Sequence, residues 1–450
     1  MLTVAFGVAD TGGVKALFPS CDKCGLLWLG LMVSASPVHS ASPLKFAFQP
    51  GQFDSSWVQI IGNAEIRVKS KYEVDYQSNN TKLDAESTFS GKLSVLLEEG
   101  NYDIRVSLGR PDAPTTTTLK AEDRRVMLAQ SIVPAGGTIL STFTVNIRTP
   151  RLPLGGLVQI NRRESGPPPI PRWDEKLTLE CLGPAPGLKT VEITRNDEAV
   201  TLFLAGESTV TEQHDEPYAG WGQFLPLFFP SGTAVANHAE SGLALNTFRS
   251  QRRLDKILQT LKPGDYVFIQ FGHNDQKEKA PGSGPFTTYS ERLKEYIHEI
   301  LGKQGKPVVV TPMERRRFRN GQPYATLEPF ARAAIHVAHQ QGVPVIDLHA
   351  MSLQVYGALG PEKSRKAFVH YPAGTFPGQD APLKDDTYHN AYGGLQLAKC
   401  MVEGIRHSLP ALAKRLRPDT PVYKPLQPDD PDSFSLPPSP VRESHQPAGN

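Results

Sequence analysis

The sequence predicts an α/β domain with a parallel sheet, preceded by an all-β sandwich or jelly-roll domain. Two patterns lead to this fold class. Apolar and polar residues alternate with period two across residues 44–182, whereas residues 195–415 hold nearly continuous apolar strands separated by amphipathic helices. Alternation is typical of antiparallel strands with one buried face. Apolar strands that alternate with helices are typical of a parallel sheet covered by helices on both faces.

The composition is that of an ordinary globular protein. Of the 450 residues, 39% are hydrophobic and 21% are charged, and 48 Lys and Arg stand against 46 Asp and Glu, which leaves a formal net charge of +2. This balance gives no electrostatic reason to expect nucleic acid as a partner. Four cysteines are too few for a scaffold of this size built on disulfides. Disordered, fibrous and disulfide-rich proteins are therefore excluded.

Residues 1–43 have the features of an export signal. Two lysines precede a short apolar run at 25–33, and small residues follow it. This order describes a secretory signal peptide, and the run is too short to span a bilayer as a stable helix. We therefore expect a secreted or periplasmic protein without a membrane span in its mature form. Cys181 and Cys400 would be its remaining thiols, either paired or free.

Short alternating stretches predict the strands of the first domain, at residues 64–68, 93–96, 102–108 and 142–147. Turn residues separate these stretches, as expected for a sandwich or jelly roll. A strand near 177–179 follows a Pro-rich stretch and is expected to close this domain at residue 182. The tail at 417–450 is rich in Pro and Asp and has no periodicity, so we expect it to be disordered.

Four apolar runs predict the strands of the second domain, at residues 200–204, 266–270, 308–310 and 343–346. Helical spacing between them predicts helices at 290–301 and 327–339. In open parallel sheets, ligands bind at the carboxyl ends of the strands. A further strand is expected to end near Ala236, between the first two of these. The functional residues are therefore expected in the loops after residues 204, 236, 270 and 311.

Three of those loops carry candidate residues. Ser208 follows the first strand and a glycine, an arrangement that can present a nucleophile. Gly242 lies after the next strand, where the lack of a side chain lets its N–H approach a ligand closely. Asn274 lies in the polar stretch 271–275, and its amide can donate to a developing oxyanion. The alternative for that stretch is a plain polar turn.

A fourth candidate group lies near the end of the second domain. His389 comes three residues after Asp386, so that the carboxylate can hold one ring nitrogen while the other faces a distant serine. This is the general-base arrangement of a serine esterase. The rival interpretation is a metal site formed by Asp385, Asp386 and His389. No second His or Cys cluster follows at metal spacing.

Taken in order, four sequence blocks resemble those of the SGNH (GDSL-like) hydrolases: Gly206-Glu207-Ser208, Gly242, Gly272-His273-Asn274-Asp275 and Asp386-x-x-His389. The stretch at 205–210, with 218–222 downstream, is most similar to the rhamnogalacturonan acetylesterase branch. That resemblance implies a flavodoxin-like three-layer domain over 195–415. It also implies that the β-rich region in front is galactose-binding-like, as in many members of the branch.

The resemblance also implies roles for the candidate residues. Ser208 would be the nucleophile, His389 the base and Asp386 the residue that orients the base. The N–H groups of Ser208 and Gly242 and the Asn274 amide would form the oxyanion hole. No metal or organic cofactor would be needed. The expected activity is removal of O-acetyl groups from a plant cell-wall polysaccharide, with rhamnogalacturonan of pectin as the first candidate.

Two departures from the family pattern and two alternatives remain open. Glu207 stands where the family usually has Asp, and Ala244 stands where it often has Ser. One alternative is a carbohydrate-binding protein with a degenerate hydrolase domain. The other is an esterase of the same family that acts on a different acetylated glycan or on a lipid.

Basic residues suggest where an acidic substrate would bind. Arg316 and Arg317 follow the predicted strand at 308–310 and are expected at the rim of the site, where they could bind a uronate-containing polymer. The alternative is a solvated loop whose arginines pair with Glu314 or with the domain interface. Arg124 and Arg125 are expected at a solvated strand edge, with contact to an acidic polymer as the alternative.

Overall fold

A computed structural model describes residues 42–48, 54, 56–59, 68–69, 73–78, 91–165 and 170–440. The predicted export signal, except for residues 42 and 43, and most of the predicted strand at 64–68 lie outside these ranges. Within them, no helix combines the length and apolar character that crossing a membrane requires.

Two sheets, antiparallel except for one strand pair, form the first half of the described chain. Their strands are β1 Leu44–Ala47, β2 Trp57–Gln59, β3 Val68–Lys69, β4 Glu73–Ser78, β5 Gly91–Leu96, β6 Gly100–Leu108, β7 Thr115–Ala121, β8 Arg125–Val133, β9 Ile139–Ile147, β10 Lys176–Ala185 and β11 Leu188–Arg195, with helix α1 at Arg162–Ser165. One sheet has the order β2-β1-β11-β6-β9 and the other β3-β4-β5-β10-β7-β8. Apolar side chains of both sheets, such as Leu93 and Ile104, share one buried core. This sandwich confirms the predicted all-β class.

The sandwich continues beyond the predicted boundary at residue 182. Strand β11 pairs with β1 and with β6, so it completes the first sheet as far as Arg195. The predicted strands at 93–96, 102–108 and 142–147 are confirmed by β5, β6 and β9. Their alternation was a reliable signal because each strand has one face in the core.

The second half contains a parallel sheet between helices. Its strands are β12 Val200–Gly206, β13 Thr233–Asn237, β14 Tyr266–Gln270, β15 Lys306–Val310 and β18 Val345–Ile346. Two hairpins lie outside this sheet: β16 Phe318–Arg319 pairs with β17 Gln322–Pro323, and β19 Phe368–Tyr371 pairs with β20 Leu383–His389. The helices are α2 Leu245–Ser250, α3 Arg253–Thr260, α4 Ser290–Gly302, α5 Glu328–Gln341, α6 Leu348–Lys363, α7 Ala391–Ser408 and α8 Pro410–Ala413. The parallel sheet has the order β13-β12-β14-β15-β18.

Alternate residues of the central strand β12 show why the domain has three layers. Leu202 and Leu204 pack into the apolar cluster on one face of the sheet. Phe203 and Ala205 pack into the cluster on the other face. Since both faces are buried under helices, the predicted three-layer α/β class is confirmed. The parallel pairing also places the loops that follow β12, β13, β14 and β15 at one edge of the sheet.

The tail differs from the disorder predicted for it. Over residues 418–440 it has no helix or strand, but it lies against both halves of the molecule. Asp429 O accepts a hydrogen bond from the Tyr392 hydroxyl at 2.6 Å. Further along, the Ser439 hydroxyl donates to Glu180 at 2.5 Å. Composition predicted the lack of regular structure, but not the contacts that the tail makes with the two folded halves.

The two cysteines of the described chain are free and buried. Cys181 lies in β10 of the sandwich, and Cys400 lies in α7 of the second half. The pairing that the sequence left open is therefore not formed.

Candidate active site

Ser208 lies immediately after β12, in a tight turn. Glu207 O accepts hydrogen bonds from the N–H groups of Val210 and Thr211, both at 3.0 Å, and this turns the chain sharply after the strand. The Ser208 side chain is buried. In the part of the chain that the structure describes, no group accepts a hydrogen bond from the Ser208 N–H. This N–H can therefore serve a ligand, as the sequence predicts.

Gly242 lies in the neighbouring loop with a backbone suited to glycine. Its φ of 84° lies in the left-handed region that other residues rarely adopt. The loop is fixed to β12, because His238 N–H donates to Leu204 O at 2.9 Å and Glu240 N–H donates to Gly206 O at 3.2 Å. The Gly242 N–H has no acceptor among the described residues. Two unengaged N–H groups thus lie in neighbouring loops at the carboxyl edge of the sheet.

Asn274 joins these loops through Glu207. The Asn274 amide donates to Glu207 Oε2 at 3.2 Å and to Leu243 O at 3.0 Å. Glu207 also accepts the N–H groups of His273, at 3.1 Å, and of Asn274, at 3.2 Å. The Glu207 carboxyl group, in the loop after β12, therefore holds the loop after β14 in place. Both amide hydrogens of Asn274 are engaged, so donation to an oxyanion requires it to exchange one partner.

Two buried carboxyl groups lie behind the nucleophile. Burial, together with the nearby Asp275, raises the pKa of Glu207 to about 8. Burial also raises the pKa of Asp275 to about 7, although one of its oxygens accepts the Leu245 N–H at 3.1 Å. Near neutral pH a large fraction of each group is therefore protonated, because the surrounding protein solvates a carboxylate poorly.

The raised pKa of Asp275 predicts a specific pH dependence of stability. The unfolded chain loses this proton near pH 4 and the folded chain near pH 7, so its contribution to stability is lost as the pH rises between these values. An Asp275→Asn variant keeps an oxygen that can accept the Leu245 N–H, but its side chain cannot ionise. We expect the free energy of unfolding of the variant, relative to wild type, to rise between pH 4 and 7 in urea titrations. A difference that is constant with pH would contradict this.

The structure does not bring Asp386 and His389 together. Asp386 Oδ1 accepts Arg316 Nη1 at 2.8 Å and is 2.9 Å from His370 Nε2. His389 Nε2 instead lies 2.8 Å from the Tyr356 hydroxyl. Within the described ranges, no hydrogen bond or ion pair joins His389 to Asp386 or to Ser208. The predicted triad is therefore not assembled in this conformation.

A bulge in the β19–β20 hairpin explains the difference. Val369 pairs with Asp385 and Phe368 pairs with His389, so the intervening residues 386–388 leave the ladder. The Asp385 carboxylate caps this bulge by accepting the N–H groups at positions 387 and 388, at 2.7 and 2.9 Å. His389 is thereby returned to the core, where its ring centroid lies 4.3 Å from that of Phe368. A spacing of three residues does not reveal such a bulge.

His389 is nevertheless tied to the segment that holds the nucleophile loop. Its carbonyl accepts the Ala219 N–H at 2.9 Å, and Thr209 O accepts the Trp221 N–H at 3.0 Å. The backbones that follow Ser208 and that carry His389 therefore contact the same short segment. Burial lowers the pKa of the His389 ring to about 3, so the ring is neutral at physiological pH.

The rival metal site is not formed by the residues proposed for it. Asp385 is engaged with backbone N–H groups, Asp386 with Arg316 and His370, and His389 with Tyr356. Across the described ranges, no group of three or more His, Cys, Asp or Glu side chains is arranged to hold a metal ion.

The basic rim differs from the sequence prediction. Arg316 is 8% exposed and donates to the Ser364 hydroxyl at 3.0 Å as well as to Asp386, so it cannot bind a polymer at the surface. The prediction for Arg316 is therefore wrong, because its charge is used inside the fold. Arg317 is 48% exposed at its side chain and lies 3.8 Å from Asp386, so it remains available to solvent.

Sequence reasoning missed Tyr356 and misjudged Arg124 and Arg125. Tyr356 lies within α6, and no motif marks it as the partner of His389. Arg124 and Arg125 do not form a solvated strand edge, since both are buried. They contact the loop that follows Ser208, and this contact depends on domain packing that no local pattern contains.

Comparisons with known proteins place residues 204–371 in the GDSL-like lipase/acylhydrolase family. Two relatives come from Bacillus subtilis (strain 168). Rhamnogalacturonan acetylesterase RhgT is 39% identical over 209 residues, which cover 46% of this chain and 89% of RhgT. The probable rhamnogalacturonan acetylesterase YesY is 32% identical over 208 residues, which cover 46% of this chain and 92% of YesY.

A solved structure covers more of the chain at lower similarity. The crystal structure of the Bacillus subtilis protein YxiM has 21% sequence identity and a TM-score of 0.43, and the match covers 81% of this chain and 98% of that chain.

Proposed function

Because the chain belongs to the GDSL-like lipase/acylhydrolase family, whose members hydrolyse carboxylic esters, we propose that it is a secreted serine esterase of acetylated polysaccharide. The observation that carries this proposal is the pair of unengaged N–H groups of Ser208 and Gly242, which lie in loops that hydrogen bonds join to each other. The names of RhgT and YesY favour rhamnogalacturonan as the substrate. No step of the proposed reaction uses a metal or an organic cofactor.

The proposed reaction has two steps. The Ser208 hydroxyl oxygen attacks the acetyl carbonyl while its proton passes to His389, and the N–H groups of Ser208 and Gly242 stabilise the oxyanion. Collapse of this intermediate breaks the bond to the sugar oxygen, which takes the proton and leaves as a hydroxyl group. Water then attacks the acetyl-enzyme by the same route, which releases acetate and restores Ser208.

The proposal requires the His389 ring to leave its core position. The ring must exchange the Tyr356 hydroxyl for the Ser208 hydroxyl, and rotation about its side-chain bonds is the simplest way to do so. The backbone contact with Ala219, at 2.9 Å, keeps His389 beside the nucleophile segment throughout. Asp386 Oδ1 is engaged with Arg316 and His370, so the ring would have to reach the other oxygen, Oδ2, which lies 3.8 Å from Arg317.

The substrate is tested by measuring acetate release from a panel of acetylated polysaccharides, with an aryl acetate as the generic control. We expect acetylated rhamnogalacturonan to be preferred over neutral acetylated xylan. If exposed Arg317 attracts the uronates, salt and an Arg317→Gln change should each slow the polymer reaction, because screening shortens the reach of charges to about 8–10 Å. The aryl acetate should respond to neither. Preference for xylan, or equal salt curves, would refute the pectin assignment but not the esterase chemistry.

Replacing Asn274 by Ala is expected to lower kcat by about 10²–10³-fold with little change in KM. The amide stabilises transition-state charge if it turns to the oxyanion, and it holds Glu207 in the described conformation. Steady-state kinetics with the aryl acetate measure both constants. A change confined to KM would instead identify Asn274 as a substrate-binding residue.

One observation favours a second candidate function, a carbohydrate-binding protein with a degenerate hydrolase domain. The His389 ring is packed against Phe368 and bound to Tyr356, and no serine or carboxylate of the described residues is hydrogen-bonded to it. On this alternative, titration calorimetry detects binding of the glycan while no acetate is released by wild type. Acetate release that depends on Ser208 would exclude it.

A further inference from the structure

The loop after Ser208 is held by a buried charge pair that crosses between the two halves of the molecule. Arg125, at the start of β8 in the sandwich, donates from Nε to Glu212 Oε1 at 2.7 Å and from Nη2 to Oε2 at 3.2 Å. Arg125 is 1% exposed and Glu212 is fully buried. This bidentate geometry fixes the carboxylate in both position and orientation.

The adjacent Arg124 extends this contact to the nucleophile. Its Nη1 donates to Gln213 O at 2.7 Å and to Tyr218 O at 3.0 Å. The side-chain amide of Gln213 in turn donates to Ser208 O at 2.6 Å and to the Ser241 hydroxyl at 3.2 Å. A continuous path of hydrogen bonds therefore runs from the sandwich to Ser208 and to the residue before Gly242.

A third arginine of the first half connects the two loops. Arg172 Nη1 donates to the Thr211 hydroxyl at 2.6 Å and to Glu212 O at 2.9 Å, and its Nη2 pairs with Glu240. The Thr211 hydroxyl also donates to Ala239 O at 2.8 Å. One rigid guanidinium thus sets the separation between the loop of Ser208 and the loop of Gly242.

We propose that Arg124, Arg125 and Arg172 are positioning residues that set the geometry of the oxyanion hole formed by Ser208 and Gly242. On this inference, which rests on the proposed esterase function, the β-sandwich is a structural half of the active site. Buried ion pairs add little net stability over apolar side chains of similar size. Their concentration on these two loops therefore indicates a requirement for geometry.

The test replaces the whole pair, because removing one partner would leave a buried charge and endanger folding. Arg125→Met with Glu212→Leu should keep the thermal transition but lower kcat for an aryl acetate by about 10- to 100-fold, at nearly constant KM, since small misplacements of reacting groups are costly. The rate at which a fluorophosphonate labels Ser208 should fall in parallel. Arg125→Lys keeps the charge but cannot form the bidentate pair with Glu212, so it should give an intermediate kcat.

The matched control is another ion pair between the two halves. Lys256 of α3 pairs with Glu99 at 2.6 Å, and its ammonium is buried. Within the described ranges, neither side chain makes a hydrogen bond or ion pair to the loops of Ser208 and Gly242. Lys256→Met with Glu99→Leu should leave kcat within about twofold of wild type. Amide hydrogen exchange in residues 207–216 should accelerate in the Arg125 pair variant and not in the control.

The possible outcomes separate this inference from the proposed function. An unchanged kcat in the Arg125 pair variant, or an equal loss in the control, overturns the positioning role and leaves the esterase proposal intact. A wild-type protein that neither releases acetate nor is labelled at Ser208 overturns the esterase proposal. It also overturns the claim that the three arginines position residues for catalysis. Exchange in residues 207–216 then still decides whether Arg125 orders the loop.

Discussion

Replacing Ser208 by Ala is expected to reduce acetate release by about 10⁴-fold or more, to the level that binding and the oxyanion donors alone can support. The hydroxyl is the atom that forms the covalent intermediate, so no neighbouring group can substitute for it. Because Ser208 donates its N–H and not its side chain to the oxyanion, the Ala variant should keep its affinity for substrate. Acetate release and calorimetric binding measure these two effects separately.

Thr209 offers a matched control for this experiment. It is the next residue, it is buried, and its hydroxyl accepts a hydrogen bond from Gln270 at 2.8 Å. We expect Thr209→Ala to lower stability but to retain most of kcat, because this hydroxyl is engaged inside the fold. Near wild-type activity in a folded Ser208→Ala protein would refute the assignment of the nucleophile.

The second large effect is expected at His389. His389→Ala should lower kcat by about 10⁴-fold or more if its ring serves as the base after leaving Tyr356. Tyr356→Phe removes the competing hydrogen bond and should preserve or raise activity. His370→Ala removes the histidine that Asp386 contacts in the structure, at 2.9 Å, and should have a small effect. Activity lost in His370→Ala but kept in His389→Ala would show that the Asp386–His370 pair supplies the base.

The pH dependence should reflect the buried position of His389. The pH profile of kcat/KM reports the free enzyme, in which burial holds the pKa of this ring at about 3. The acidic limb should therefore lie below the ordinary histidine pKa of about 6.5. Tyr356→Phe should move it upward, because the released ring is better solvated. An acidic limb near pH 6.5 in wild type would mean that the ring is already exposed in the free enzyme.

The fold was predictable because its signals are local and repeated. Strands such as β6 alternate because one face is buried, and β14 is apolar over 266–269 because both faces are buried. Ser208 and Gly242 could be found for the same reason, since each lies just after a predicted strand. Their environment at the carboxyl edge of the sheet follows from the parallel order alone.

The base and its supports could not be predicted because they depend on contacts between distant segments. The position of His389 depends on the bulge capped by Asp385 and on Tyr356, which lies on helix α6. Arg316 carries the charge expected of a residue at the rim of the site, but its side chain is buried, where it pairs with Asp386. Arg125 acts on the nucleophile loop only because the sandwich packs there.

The tail also constrains the order in which the protein can be completed during synthesis. The Lys120 ammonium is 2% exposed, and burial lowers its pKa to about 8; it donates to Pro437 O at 2.8 Å and to the Ser439 hydroxyl at 3.0 Å. Pro437 is translated 317 positions after Lys120, about 15 to 60 s later at roughly 5–20 residues per second. Glu216, 3.9 Å from this ammonium, is made earlier, but it lies beyond hydrogen-bond distance. Until the tail is made, water must therefore accept the two hydrogen bonds that Pro437 and Ser439 later accept, so this part of the sandwich stays open to solvent while the ribosome makes the hydrolase half.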